Sequence, residues 1–138
     1  MENTISRFIQ CSEDFSGAVT SPLVLDINHH NKIWWAGSTW GSINLFPFIW
    51  LIRQKYSHYT LISELPNFPY NTSEFTGRGA FIPRSVFESM RLIDAEKFPQ
   101  YGSDNDFNLR VSTSGGRTIV DLSNRVFYIL KRQEKYFW

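Results

Sequence analysis

The sequence predicts a mixed α/β fold in one domain, and three observations predict it. Residues 18–27 read as a strand, helical spacing of apolar residues appears twice after Pro83, and two short apolar runs lie near the C-terminus. The 138 residues are enough for one domain with a real core and leave little room for a second.

Taken in order, Val19, Leu23, Leu25 and Ile27 fall on one parity, which suits a strand with one face more deeply buried. Pro22 places this strand at a sheet edge or confines the proline to its first residues. Asn28-His29-His30-Asn31 reads as a turn, and Lys32 to Ala36 returns as a second strand ended by Gly37. From Gly41 to Asn71 the pattern is poor and includes Pro47, Pro66 and Pro69; one short helix within an irregular excursion fits it. Phe75 to Ile82 is extended, with Gly77 and Gly79 close together. Pro83 suits the first position of a helix carrying Val86, Phe87 and Met90. Ser103 caps a second helix, with Phe107 and Val111 inward and Gly115-Gly116 ending it. Arg117 to Leu122 and Val126 to Leu130 read as two short strands.

Composition excludes several classes. Twelve Phe, six Tyr and five Trp bury enough surface to exclude disorder. A net charge of +1 argues against a dedicated nucleic-acid binder. Cys11 is the single cysteine, so no internal disulfide framework or cysteine-cluster zinc site is expected, and a reducing, cytoplasmic setting fits. Residues 1–10 lack the basic start and apolar core of a secretory signal, so Asn71-Thr72-Ser73 is not read as a glycosylation site. The apolar run 43–52 contains Pro47 and falls short of the about 20 residues that a membrane span needs. It reads as a buried helix or loop, or as an aromatic surface against lipid or a partner.

Familiar catalytic signatures are missing. There is no phosphate-binding P-loop, Gly77-Arg78-Gly79 lacks the third glycine of a dinucleotide fingerprint, and no Gly-x-Ser-x-Gly elbow exists. His29, His30 and His58 lack the i, i+4 partner of a helical zinc site. The informative stretch is Tyr101 to Arg110. With Ser103 as N-cap, Asp106 reaches back to close a capping box. At about 100° per residue, Asp104 and Asp106 point to nearly opposite sides of the helix. Asp104 is then free for solvent or a substrate, and the helix N-terminus favours its charged form. Two readings fit: both aspartates only cap the helix, or Asp104 meets a ligand. Thr76-Gly77-Arg78-Gly79 likewise reads as a close packing point or as a backbone approached by a ligand, with Arg78 supplying a donor fork.

Three blocks together, Thr76 to Glu88, Phe98 to Arg110 and Ile119 to Ser123, resemble the C-terminal half of family-2 glycosyltransferases. Ser21 to Asp26 and Lys32 to Gly37 resemble the segment before it, so the likeness covers roughly residues 18 to 130. The resemblance implies a partial GT-A fold and inverting transfer of a sugar from a nucleotide-sugar to an acceptor hydroxyl. It makes Asp104 the general base, with Ser103 and Asp106 supporting the helix start. Thr76, Gly77, Arg78 and Gly79 would line the pocket, and Tyr101 with Trp34 or Trp35 would stack on sugar.

The chain departs from the pattern in three places. Ser103 stands where many relatives carry Glu, and Tyr128 stands where some carry a metal-binding His. Asp104-Asn105-Asp106 is the only Asp-x-Asp and already belongs to the later motif. The nucleotide-binding half is therefore expected elsewhere, and with it the divalent Mg or Mn; no cofactor is expected in this chain. Two functions follow: an enzyme part that works with that half, or a non-catalytic module that binds carbohydrate or a partner. An uncovered sheet edge would favour a homodimer or partner chain. The basic, aromatic tail 131–138 allows either a membrane-peripheral contact or a solvated terminus.

Overall fold

The computed structural model describes residues 3–42, 50–91, 93–94, 96–98 and 102–129. Residues 43–49 of the apolar run, Tyr101 and the tail 131–138 lie outside the described residues. The elements are α1 (Thr4–Asp14), β1 (Val19–Asp26), β2 (His29–Trp35), β3 (Ser38–Ser42), β4 (Trp50–Gln54), a 3₁₀ turn (Ile62–Glu64), β5 (Tyr70–Thr72), α2 (Arg84–Met90), α3 (Ser103–Thr113) and β6 (Thr118–Tyr128). Four strands form a mixed sheet in the order β2-β1-β6-β5, and β3 pairs with β4 in a separate antiparallel ribbon. The fold is mixed α/β, as the patterning predicts.

β1 is central, not marginal. It runs parallel to β6 and antiparallel to β2, and all eight of its residues are buried. The one-faced pattern expected at 18–27 is thus overturned, because the sheet is covered on both sides. Val19 packs against Phe107 and Val111 of α3, whereas Ile119 packs with Cys11 and Ala18 beneath α1. Val19 pairs with Thr118 and Thr20 with Ile119, so alternation sends these two contacts to opposite faces.

Pro22 lies inside this central strand, against the expectation of an edge or a strand start. The ladder is broken at that point: Pro22 pairs with Asp121, but Leu23 pairs with Arg125. Three residues of β6, 122 to 124, bulge out, and the missing proline N–H falls at the interruption. Asp121 holds the bulge. Its Oδ1 accepts from the Ser123 N–H at 2.9 Å and the Ser123 hydroxyl at 2.7 Å, and its Oδ2 accepts from Asn124 Nδ2 at 2.6 Å. The two strands expected at 117–122 and 126–130 are therefore one bulged strand.

The first turn is shorter than expected. Asp26 Oδ1 accepts from the Asn28 N–H at 2.8 Å and its Oδ2 meets His29 Nδ1 at 3.0 Å, so His29, His30 and Asn31 already belong to β2. The Asn28 N–H, then His29, hold the Asp26 carboxyl below its usual range. Among the described residues the excursion 41–71 contains no α-helix; it supplies β4, β5 and the 3₁₀ turn. The outer edge of β2 is partly covered, since the Ile33 N–H donates to Thr60 O at 2.9 Å and the Tyr59 N–H to Ile33 O at 2.8 Å. Helix α1 was not expected. Asn3 Oδ1 caps it by accepting from the Ile5 N–H at 3.2 Å, and the Ser12 hydroxyl donates to Ala18 O at 2.7 Å. Pro83 stands just before α2 rather than at its first position.

Candidate functional site

The site forms where the segment after β5 meets the start of α3. Gly102, with φ 88°, is the N-cap, so Ser103 is the first helical residue and not the cap. The Asp106 N–H donates to Gly102 O at 2.9 Å, and the expected capping box between Ser103 and Asp106 does not form. The left-handed backbone that glycine accepts readily moves the helix start back by one residue. Asp106 pairs instead with Arg110 Nε at 2.9 Å, and Arg110 also donates to Met90 O, tying the end of α2 to α3. The division between the two aspartates survives: Asp106 serves the helix surface, while Asp104 enters a cleft.

Opposite Asp104, residues 75–82 are not extended throughout. A tight turn occupies Gly77-Arg78, closed by the Gly79 N–H donating to Thr76 O at 3.2 Å. Thr76 Oγ1 accepts from the Arg78 N–H at 3.3 Å, and the Thr76 N–H donates to Ser21 Oγ at 3.1 Å. Beyond the turn, Phe81 exchanges two backbone bonds with Thr20, at 2.8 and 2.9 Å, which fixes the segment to β1.

Gly77 explains how turn and helix come together. A Cβ at this position would stand 2.9 Å from Asp104 Oδ2, closer than real Cβ atoms approach. Glycine therefore lets the carboxylate lie against the backbone. Thr76, Gly77, Ser103 and Asp104 line one open cleft of about 450 Å³, with Ile82 and Ile93 among its apolar walls.

Two residues that sequence reasoning missed mount this cleft. Asn108, one turn after Asp104 and buried, accepts from the Phe75 N–H at 2.9 Å through Oδ1. Its Nδ2 donates to Asp104 O at 3.0 Å and to Phe75 O at 3.4 Å, so one amide joins the segment after β5 to the helix. Its signal was a polar residue at i+4 from Asp104 on the apolar face of Phe107 and Val111. Glu74 is 7% exposed; its Oε2 accepts from the Ser38 hydroxyl at 2.9 Å, while Oε1 has no partner among the described residues. Burial pushes its carboxyl above the ordinary value of 4.5, the Ser38 bond opposes this, and the charge of Asp104 adds to it. No local pattern marks it.

The other predicted residues lie elsewhere. The Arg78 guanidinium stacks 4.2 Å from the Tyr128 ring centre, Tyr128 packs on Trp34 at 5.0 Å, and Trp34 on His58 at 4.5 Å. Arg78 does not line the cleft, and Gly79 sits over Pro22 and Val126. Trp35 is buried with Val24, Tyr70 and Val120, so its ring is core and not a sugar-stacking face. Burial, then Asp121 and Asp14, pushes the Cys11 thiol up to about 12, which removes it as a nucleophile at neutral pH.

Among the described residues no group of three or more His, Cys, Asp or Glu side chains is placed to hold a metal ion. None of their helices is long and apolar enough to cross a membrane. No protein-family model and no curated protein matches the chain.

Proposed function

We propose that the chain is the acceptor side of an inverting, family-2-like glycosyltransferase of GT-A type. In this reading Asp104 is the general base. One observation carries it: residues 27 positions apart, in the two blocks of the resemblance, meet as a Thr76-Gly77 turn pressed against the Asp104 carboxylate. A carboxylate at the lip of an open cleft, on a helix start braced by Asn108, suits a group that takes one proton from a bound hydroxyl. As the acceptor oxygen attacks the anomeric carbon, Asp104 takes its proton and the nucleoside diphosphate leaves on the opposite face. Thr76 and Ser103 flank the carboxylate and can bond the acceptor's neighbouring hydroxyls. The nucleotide-sugar and any divalent metal belong to an Asp-x-Asp-bearing half, and no step in this chain is routed through the metal.

The test is sugar transfer from a panel of nucleotide-sugars by the chain, alone and mixed with a candidate nucleotide-binding half. Transfer in the mixture should fall about 10²–10⁴-fold with Asp104→Asn, the usual contribution of a positioned base. Undiminished transfer by the variant would remove Asp104 from the role. Sugar binding with no transfer in any mixture would favour the non-catalytic carbohydrate-binding module instead.

A further inference from the structure

The cleft that holds Asp104 is mixed in its chemistry. Its hydrogen-bonding side chains are Thr76, Ser103 and Asp104, and its apolar ones are Phe75, Ala80, Ile82 and Ile93. Ala80 and Ile82 pack on the core cluster of Phe75, Phe107 and Val111, so this part of the lining is the outer surface of the core and is formed before any ligand arrives. Ile93 differs: it is 41% exposed, on the segment between α2 and α3. A single exposed isoleucine needs no explanation, but this one continues the apolar lining of a cleft that contains a carboxylate. None of the described lining residues is basic.

We infer that this cleft takes a neutral, amphipathic hydroxyl compound: a polyol head at Thr76, Ser103 and Asp104, carrying an alkyl group that lies on Ile82 and Ile93. A free sugar is polar around its rim, and hydroxyls set against the isoleucines would lose water and gain no partner from them. A phosphorylated or carboxylated ligand would bring negative charge to Asp104, with no described cation in the cleft to offset it. An alkyl group gains from the same walls, since each methylene removed from water is worth about fourfold in affinity. The volume of about 450 Å³ lies in the range of small-molecule sites, which leaves room for a head and a short chain together. The inference deepens the acceptor-side reading and rests on it for the role of the bound hydroxyl, but its test is one of binding.

The probes are methyl, butyl and hexyl β-glucosides, kept below any micelle-forming concentration and titrated into the ¹⁵N-labelled chain. The amides of Gly77, Gly102 and Ser103 should shift saturably, and affinity should rise by up to about fourfold for each methylene that the walls cover. A hexyl glucoside that binds no tighter than the methyl one overturns the inference, as does binding that leaves these amides unmoved. Ile93→Ser should lower hexyl glucoside affinity on the order of tenfold and leave methyl glucoside affinity unchanged. It should melt as wild type does, because the side chain is largely exposed. Phe68→Ser removes a 65% exposed ring that does not line the cleft, and should change neither affinity. An equal loss in both variants would mean that the alkyl chain adsorbs to exposed apolar surface in general, which also overturns the inference. Should Ile93→Ser fail to fold, the glucoside series on wild type decides alone. Chain-length-dependent binding with no sugar transfer in any mixture removes the transferase reading alone. Transfer to methyl and hexyl glucosides with equal kcat/KM removes the alkyl site alone.

Discussion

At the residue scale, the contact of Gly77 with Asp104 separates stability from function. A methyl group at position 77 would meet only the end of a movable carboxylate, 2.9 Å away, and no backbone. Gly77→Ala should therefore change unfolding free energy by no more than about 1 kcal/mol. The displaced Asp104 should nevertheless slow transfer on the order of 10²-fold, as small misplacements of reacting groups do. Thermal melting and the transfer assay check the two halves separately; wild-type transfer by the variant would mean that the contact does not set the geometry. The stack of Arg78 on Tyr128 belongs to the same scale. It shows a charged side chain next to the site's glycine taken up by packing on a neighbouring ring.

At the element scale, Asn108 holds the turn segment to α3 with two bonds to Phe75, while a third from the same buried amide goes to Asp104 O within the helix. Asn108→Ala leaves the Phe75 N–H buried without an acceptor and should cost about 2–3 kcal/mol, measured by urea unfolding. A loss within experimental error would mean that the two elements are held by Phe75 and Phe107 packing alone. The bulge in β6 is a second device of this kind. Asp121 binds the backbone and side chain of Ser123 and the side chain of Asn124, so three residues leave the ladder while staying satisfied. The bulge is what lets a proline-bearing strand sit at the centre of the sheet.

For the whole molecule, the pH dependence of stability should report Glu74. A carboxyl whose folded pKa lies above its unfolded one favours the fold at low pH, and that contribution is lost as pH rises through the folded value. Its neighbours are the Ser38 hydroxyl on β3 and the Asp104 charge on α3. Wild type should thus melt progressively lower relative to Glu74→Gln as pH rises above about 4.5, the ordinary value. Parallel melting curves for the two proteins across the range from about pH 4 to 8 would show that Glu74 does not titrate differently in the fold.

Much of this molecule was determined by the sequence itself. Local apolar spacing marked β1, β2, α2 and α3, because a single element's periodicity records which side it buries. The residues of the cleft were legible only in part: a carboxylate at a helix start acts over a few residues, whereas the segment 75–82 reads as extended and the structure turns it at Gly77-Arg78. The one-residue error at Gly102 and the missing capping box have a local cause, a glycine willing to adopt a left-handed backbone. Only the tertiary structure decided that β1 is central and covered on both faces, that Trp35 is core, and that Pro22 meets a bulge 99 positions away at Asp121. It alone brought Thr76 and Gly77 to Asp104, Asn108 to Phe75, and Glu74 to Ser38. These pairings depend on strand order and register, which no neighbouring residue encodes, so they arise only when the whole chain packs.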